Sequence, residues 1–135
     1  MTRICVPAEI ARRVREAARH RCGYCLSPQH LVMARLEIEH FIPRSKGGLT
    51  QEDNLWLSCP LCNAHKGDRV SASDPQTGQT ASLFNPRLQN WFEHFRWTDD
   101  GLRIVSLTPT GRATVVALHL SDDPDVLQVR SYWIL

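Results

Sequence analysis

The stretch EIEHFIPRSKGG, which spans Glu37–Gly48, contains the decisive pattern of this chain. It begins with the apolar and polar alternation of a short strand, and that strand must end at Pro43. Glu39 and His40 are adjacent titratable residues near its end, and two cations and the pair Gly47–Gly48 follow as a turn. An exposed strand entering a basic loop is the simplest interpretation, and the flanking sequence must decide whether a functional one is better.

Four of the five cysteines form two Cys-x-x-Cys pairs that flank this stretch, and Cys5 is left over. The pairs are Cys22 with Cys25 and Cys59 with Cys62. Two such pairs can supply the four thiolates of a tetrahedral structural zinc site. A buried thiol cluster and one redox-active pair remain alternatives. Structural zinc contributes about 10–16 kcal/mol of apparent binding free energy. Because a domain has about 5–15 kcal/mol of total stability, metal loss should unfold this region.

Length and composition predict a single domain over residues 1–135. The hydrophobic fraction of 42% and the charged fraction of 22% are ordinary for a soluble globular protein. No long apolar run predicts a membrane span, and no apolar segment near the N-terminus predicts a secretory signal, so we expect a cytoplasmic protein without membrane contact. Residues 1–70 carry a net charge of +4, from eleven Lys and Arg against seven Asp and Glu, which favours that half as a polyanion-binding surface.

Periodicity and turn signals predict a mixed α+β chain. Helices are expected over 8–20, 60–70, 110–120 and 123–135, the last with Asp123 as N-cap and Pro124 in its first turn. Strands are expected over 34–42 and 55–59, a hairpin over 91–107, and a loop over 71–89. The central order is therefore strand, loop, strand, helix, with the cysteine pairs at its two ends.

The pattern IEHFIPRSKGG…EDNLWLSCPLCNAHKGD, with CGYC upstream, resembles the HNH endonucleases. The resemblance implies a ββα-metal core over residues 22–70, stapled by a four-cysteine zinc site and preceded by a helix. The extension over 71–135 carries SDPQTGQTASLFNPR, WFEHFRW and LTPTGRATVVAL, which are similar to small stand-alone bacterial members, many of them cyanobacterial. The implied reaction is metal-dependent hydrolysis of DNA phosphodiester bonds, with duplex DNA as the favoured substrate.

The resemblance also implies residue roles. His40 would be the general base, and Glu39 and Asn63 would ligate one catalytic Mg²⁺ or Mn²⁺ ion. Asn54 would hold the loop of His40 by hydrogen bonds. Three cations would contact phosphate groups, namely Arg44, Lys46 and Lys66.

Two departures from the usual pattern leave activity open, because Glu39 replaces the more common Asp and Asn63 replaces the more common His. In addition, adjacent residues on a regular strand face opposite sides, so Glu39 and His40 share a site only if the strand distorts or ends there. The alternative function is a zinc-stabilised module that binds nucleic acid or a protein partner without catalysis. The oligomeric state is not predicted.

Overall fold

The computed structural model describes residues 5–133, which contain five α-helices and six short strands in three two-stranded antiparallel sheets. The helices are α1 (Ala8–Ala17), α2 (Pro60–Lys66), α3 (Trp91–His94), α4 (Pro109–Ala117) and α5 (Pro124–Ser131). The strands are β1 (Glu37–His40), β2 (Leu55–Ser58), β3 (Ser71–Ser73), β4 (Thr80–Ser82), β5 (Phe95–Trp97) and β6 (Ile104–Ser106). Within the described residues, no helix has the length and apolar character that crossing a membrane requires.

Helix α1 packs its apolar stripe on the β1–β2 sheet. Val14 is buried on that stripe, and the Arg15 guanidinium donates to the carbonyl of Leu36 over 2.9 Å. The helix ends before the predicted residue 20, because Arg19 and His20 take left-handed backbone angles (φ 54° and 55°) that turn the chain into the first cysteine pair.

The central strand, loop, strand and helix appear in the predicted order. Strands β1 and β2 pair in register from Glu37 opposite Ser58 to His40 opposite Leu55, and the chain then enters α2 through Pro60. Pro60 suits the first helical turn because its nitrogen has no hydrogen to leave unpaired. The helix is shorter than predicted because Gly67 (φ 57°) ends it.

The loop expected over residues 71–89 instead contains the hairpin of β3 and β4. Asp74 builds its turn by accepting hydrogen bonds from the Gln76 amide (3.0 Å) and the Thr77 hydroxyl (3.1 Å). The Arg112 guanidinium of α4 binds both oxygens of Asp74 at 2.8 Å. This buried carboxylate therefore attaches the hairpin to α4.

The hairpin expected over residues 91–107 is present, but its first half begins as a helical turn. The Asn90 side chain caps α3 by accepting a hydrogen bond from the Phe92 amide (3.1 Å), and β5 starts only at Phe95. The expectation of a strand from residue 91 was therefore wrong, because an N-cap asparagine outweighs the aromatic β propensity of the residues after it.

The two last helices begin as the sequence predicts. Thr108 caps α4 by accepting from the Gly111 amide (3.0 Å), and Asp123 caps α5 by accepting from the Asp125 amide (2.9 Å). Pro124 occupies the first turn of α5. The helix ends at Ser131, and the predicted continuation through Ile134 and Leu135 lies outside the described residues.

One hydrophobic cluster joins the central unit to the extension. The central unit contributes Tyr24, Leu36 and Leu57, and the extension contributes buried residues that follow β4. The extension members of the cluster include Leu83, Phe84, Trp91, Phe95, Ile104, Ala113, Leu118 and Leu120. The extension therefore supplies much of the apolar packing that surrounds the cysteines.

Candidate metal centre and active site

The four cysteines of the two pairs converge on one point. Their Sγ atoms all lie within 4.8 Å of one another, and all four side chains are buried. The Cys25 and Cys59 sulfurs are 3.7 Å apart. A tetrahedral zinc ion with Zn–S bonds of about 2.3 Å separates its ligand sulfurs by about 3.8 Å, so this arrangement fits zinc. Among the described residues, this is the only such cluster of His, Cys, Asp and Glu.

Local hydrogen bonds shape the cluster from both knuckles. The Tyr24 amide points at the Cys22 sulfur (3.4 Å), and the Cys62 amide points at the Cys59 sulfur (3.3 Å). These amides stabilise negative charge on sulfur, as a metal-bound thiolate requires. The crowding of the four thiols, with hydrogen bonding to Cys22 as the largest contribution, raises the pKa of Cys62 well above its usual value.

Arg130 of α5 is the buried cation beside the cysteines. Its side chain is 1% exposed, and it lines the same cavity of about 610 Å³ as Cys25, Cys59 and Cys62. Its Nη1 donates to the Leu102 carbonyl (3.0 Å), whereas its buried Nε has no hydrogen-bond partner among the described residues. Four thiolates around a divalent zinc ion carry net negative charge, which this guanidinium partly neutralises.

Glu39 lies in the interior, between the first cysteine pair and α2. Its carboxylate is 5% exposed and accepts a hydrogen bond from the Tyr24 hydroxyl. The Lys66 ammonium lies 3.7 Å from its other oxygen and donates to the Phe41 carbonyl over 2.8 Å. Burial raises the pKa of Glu39 and lowers the pKa of Lys66, because each charged form loses water.

Asn63 contacts the carboxylate two residues before Glu39. Its side-chain amide lies 3.3 Å from an oxygen of Glu37, which shares one face of β1 with Glu39. Asn63 and Lys66 both project from α2 onto this face. The structure therefore gathers Glu37, Glu39 and Asn63 on the α2 side of the strand.

His40 lies at the end of β1, where the strand is still regularly paired with β2. Its Nε2 is 2.8 Å from the Thr50 hydroxyl, so the ring turns toward the loop and not toward α2. Burial, with a smaller contribution from Arg44, lowers the pKa of His40. Among the described residues, no hydrogen bond or ion pair directly joins the side chains of His40, Glu39 and Asn63.

Asn54 ties the loop that follows His40 to the start of β2. Its Oδ1 accepts from the Ile42 amide (2.9 Å), and its Nδ2 donates to the carbonyls of Ile42 and Leu49 (3.0 Å each). Only glycine is tolerated at position 48 beside these hydrogen bonds, because a Cβ there would lie 1.7 Å from the Ile42 carbonyl oxygen. One amide side chain thus makes three of the hydrogen bonds that hold the loop of His40.

The three predicted phosphate contacts fall into two groups. Arg44 and Lys46 lie on an exposed 3₁₀ turn directly after Pro43, and neither forms an ion pair among the described residues. Lys66 is fully buried, with 0% exposure, and its ammonium serves Glu39 and the Phe41 carbonyl. A phosphate contact by Lys66 would therefore require its ammonium to leave this position, whereas Arg44 and Lys46 are presented to solvent.

The central unit is similar to a known protein family. Residues 22–69 match the family model described as HNH endonuclease, and this stretch contains the central strand, loop, strand and helix. The surrounding structure is a small mixed α and β arrangement with a four-cysteine cluster inside the matched stretch.

A curated relative matches more of the chain. Septu protein PtuB of Bacillus thuringiensis is 28% identical over 108 residues, which cover 78% of this chain and 38% of that protein. The chain thus spans well under half the length of this relative. No solved structure matches the chain significantly.

Three residues of the centre escaped the sequence analysis, namely Glu37, Tyr24 and Arg130. The position of Glu37 two residues before Glu39 was a usable signal, because period-two spacing puts both carboxylates on one face. Tyr24 and Arg130 gave no such signal, since their contacts with Glu39 and the cysteines join segments far apart in the sequence.

Proposed function

We propose that this chain is a metal-dependent endonuclease that hydrolyses DNA phosphodiester bonds, with His40 as the general base. The proposal treats residues 1–135 as one working unit, with a core over 22–70 and an extension over 71–135. The observation that supports it best is the placement of a partly exposed histidine at the end of β1, directly before two solvent-exposed cations, inside an HNH domain.

His40 is suited to accept a proton. Burial lowers the pKa of His40, which favours the neutral imidazole, and a neutral ring nitrogen can take a proton from a water molecule that attacks phosphorus. The Thr50 hydroxyl at 2.8 Å fixes the ring orientation, and Asn54 fixes the loop that carries it. The proposed role therefore depends on a rigid loop as well as on the imidazole.

Arg44 and Lys46 are suited to bind the DNA backbone. Both lie within six residues of His40 on an exposed turn and have no carboxylate partner among the described residues. Phosphate contacts of this kind position a duplex without reading its sequence. We therefore propose duplex DNA as substrate and expect binding that weakens steeply with salt.

Glu39 and Asn63 supply the hard oxygen donors of the proposed catalytic ion site, which suit Mg²⁺ or Mn²⁺ better than softer metals. Both side chains lie on the α2 side of β1, and Glu37 adds a third oxygen-bearing group there. A bound divalent ion would stabilise negative charge on the scissile phosphate and on the leaving oxygen. The Lys66 ammonium lies 3.7 Å from Glu39 and repels a second cation there, so it would have to move away when the ion binds.

A zinc-stabilised module that binds nucleic acid or a protein partner without catalysis is the second candidate. The specific observation in its favour is the pairing of Glu39 with Lys66 and Tyr24, which occupies both carboxylate oxygens. The same contacts would meet the hydrogen-bond and charge requirements of a buried carboxylate that has only a structural role. Binding without strand breakage is what this candidate predicts.

A divalent-ion screen on supercoiled plasmid separates the two candidates. Zinc-loaded protein is incubated with Mg²⁺, with Mn²⁺ or with neither, and nicked DNA is measured on gels alongside a duplex gel shift at low salt. Nicking that requires Mg²⁺ or Mn²⁺ supports the endonuclease. A gel shift without nicking under either ion would favour the binding module. The absence of both a gel shift and nicking would exclude DNA as the partner.

A further inference from the structure

Tyr24 occupies an unusual position between the two metal-binding cysteines of the first knuckle. Its ring is fully buried, with 0% exposure, and its hydroxyl donates a hydrogen bond to Glu39. A knuckle residue whose only task was to space two sulfurs would not need a phenol that reaches strand β1. The contact therefore links the first cysteine knuckle to the buried carboxylate of β1.

The backbone of Tyr24 is held at several points. Its amide points at the Cys22 sulfur (3.4 Å), and its carbonyl accepts from the Trp91 indole nitrogen (2.8 Å). The neighbouring Gly23 amide donates to the Leu57 carbonyl of β2 (2.8 Å). Because both sides of the residue are anchored, the phenol has little freedom to follow Glu39 if that carboxylate turns.

The Glu39 carboxylate has one other polar partner besides Tyr24. The Lys66 ammonium is 3.7 Å from the second oxygen, which is a loose contact for an ion pair. The hydroxyl therefore does most to decide which way the carboxylate plane faces. A side chain that orients a metal ligand in this way affects metal affinity without touching the metal.

We propose that Tyr24 is a positioning residue for the divalent ion, because its hydroxyl fixes the Glu39 carboxylate in the orientation that binds the ion. The inference rests on the proposed function, in which Glu39 is a ligand. It adds that the cysteine cluster sets the geometry of the catalytic ion site through one phenol. Trp91 of the extension takes part by holding the Tyr24 carbonyl.

The substitution Tyr24→Phe tests this, because it removes the hydroxyl and keeps every apolar atom of the ring. Mn²⁺ affinity of the zinc-loaded chain is measured from the electron paramagnetic resonance signal of free Mn²⁺. We expect an affinity about 10–100-fold weaker than that of the parent, as for other residues that orient metal ligands. Tyr132→Phe is the matched control, since it removes the same hydroxyl from a 64% exposed tyrosine, and it should bind Mn²⁺ like the parent.

Zinc content and the urea unfolding midpoint are measured on the same samples. Unchanged zinc content with weaker Mn²⁺ binding supports the positioning role. Loss of zinc or unfolding of Tyr24→Phe would overturn it, because the hydroxyl would then serve the fold. Parent-like Mn²⁺ affinity in Tyr24→Phe would also overturn it.

The Glu39→Gln background separates this inference from the proposed function. If Tyr24 acts through Glu39, adding Tyr24→Phe to Glu39→Gln should weaken Mn²⁺ binding no further. An additional loss of similar size in the double variant would contradict the proposal. If the parent itself neither binds Mn²⁺ nor nicks plasmid, the proposed function fails together with the inference, whereas a parent-like Tyr24→Phe in an active chain sinks the inference alone.

Discussion

The cysteine cluster and the candidate catalytic residues lie on the same β1–β2–α2 unit, yet they differ in how completely the structure assembles them. All four sulfurs meet within 4.8 Å. The side chains of Glu39 and Asn63 lie on the α2 side of β1, whereas His40 turns toward the loop at Thr50. One centre is complete, and the other is spread over two sides of a strand end.

The difference follows from what each set of ligands does in the fold. Thiols form only weak hydrogen bonds, so few other polar partners compete for them, and each knuckle brings two of them together by local geometry. Carboxylates, amides and imidazoles have competing hydrogen-bond partners, and here Glu39 takes Tyr24 and Lys66. The position of a side chain with many possible hydrogen-bond partners is therefore harder to predict from its motif.

The largest expected effect is the loss of the folded structure when zinc is removed. Cys59→Ser should abolish stoichiometric zinc binding and unfold the unit, because zinc supplies about 10–16 kcal/mol against a total stability of about 5–15 kcal/mol. Zinc content by mass spectrometry and far-ultraviolet circular dichroism measure this. Cys5→Ser is the control, since Cys5 is exposed and lies outside the cluster, and it should keep both properties. A folded, zinc-free Cys59→Ser protein would show that the cluster is only a thiol core.

The second effect concerns the buried partner of Glu39. Lys66→Met should lower the free energy of unfolding by about 3 kcal/mol, because a buried carboxylate is left without its counter-charge. The 3.7 Å separation places this at the low end of the usual cost. Urea denaturation measures it, and exposed Lys46→Met should change stability by no more than about 0.5 kcal/mol. Equal behaviour of the two variants would mean that Lys66 does not stabilise Glu39.

The third effect concerns the loop of His40. Asn54→Ala removes three hydrogen bonds and should lower the free energy of unfolding by about 1–3 kcal/mol, with a slower nicking rate because the loop loosens. Exposed Gln51→Ala in the same loop is the control. Unchanged nicking in a destabilised Asn54→Ala protein would show that the loop hydrogen bonds of Asn54 do not affect the reaction.

The smallest effect lies in the extension and depends on pH. Pairing with Arg112 holds the pKa of Asp74 well below its usual value, so the pair stabilises the folded state above the unfolded pKa of about 3.9 and the contribution is lost as pH falls further. Asp74→Asn should therefore lower the thermal midpoint at pH 7, and its difference from the parent should shrink below about pH 4. Acid release of zinc affects both proteins alike. A pH-independent difference would contradict the assignment.

The sequence predicted those parts of the fold that local chemistry dictates. Asp123 and Pro124 begin α5, and the paired knuckles predicted the sulfur cluster, because caps and metal motifs act over a few residues. The hairpin of β3 and β4 was missed because SAS and TAS carry no β-branched or aromatic pattern beyond Thr80. Its strands depend on Asp74 and the distant Arg112.

The candidate site shows the same limit at the level of single residues. The motif led us to propose His40, Glu39 and Asn63, but it did not predict the burial of Lys66, because lysines are usually exposed. Its position becomes intelligible only once β1 places Glu39 against α2. Contacts between elements are set by packing, which one-dimensional patterns do not record.

The most direct measurement compares plasmid nicking by His40→Ala and His30→Ala with that of the parent, at equal zinc content and in the presence of Mn²⁺. His40 lies on β1, whereas His30 is an exposed residue of the 3₁₀ turn Gln29–Leu31. The account predicts a loss of about 10²–10⁴-fold for His40→Ala and parent-like nicking for His30→Ala. Nicking by His40→Ala at the parental rate would contradict it.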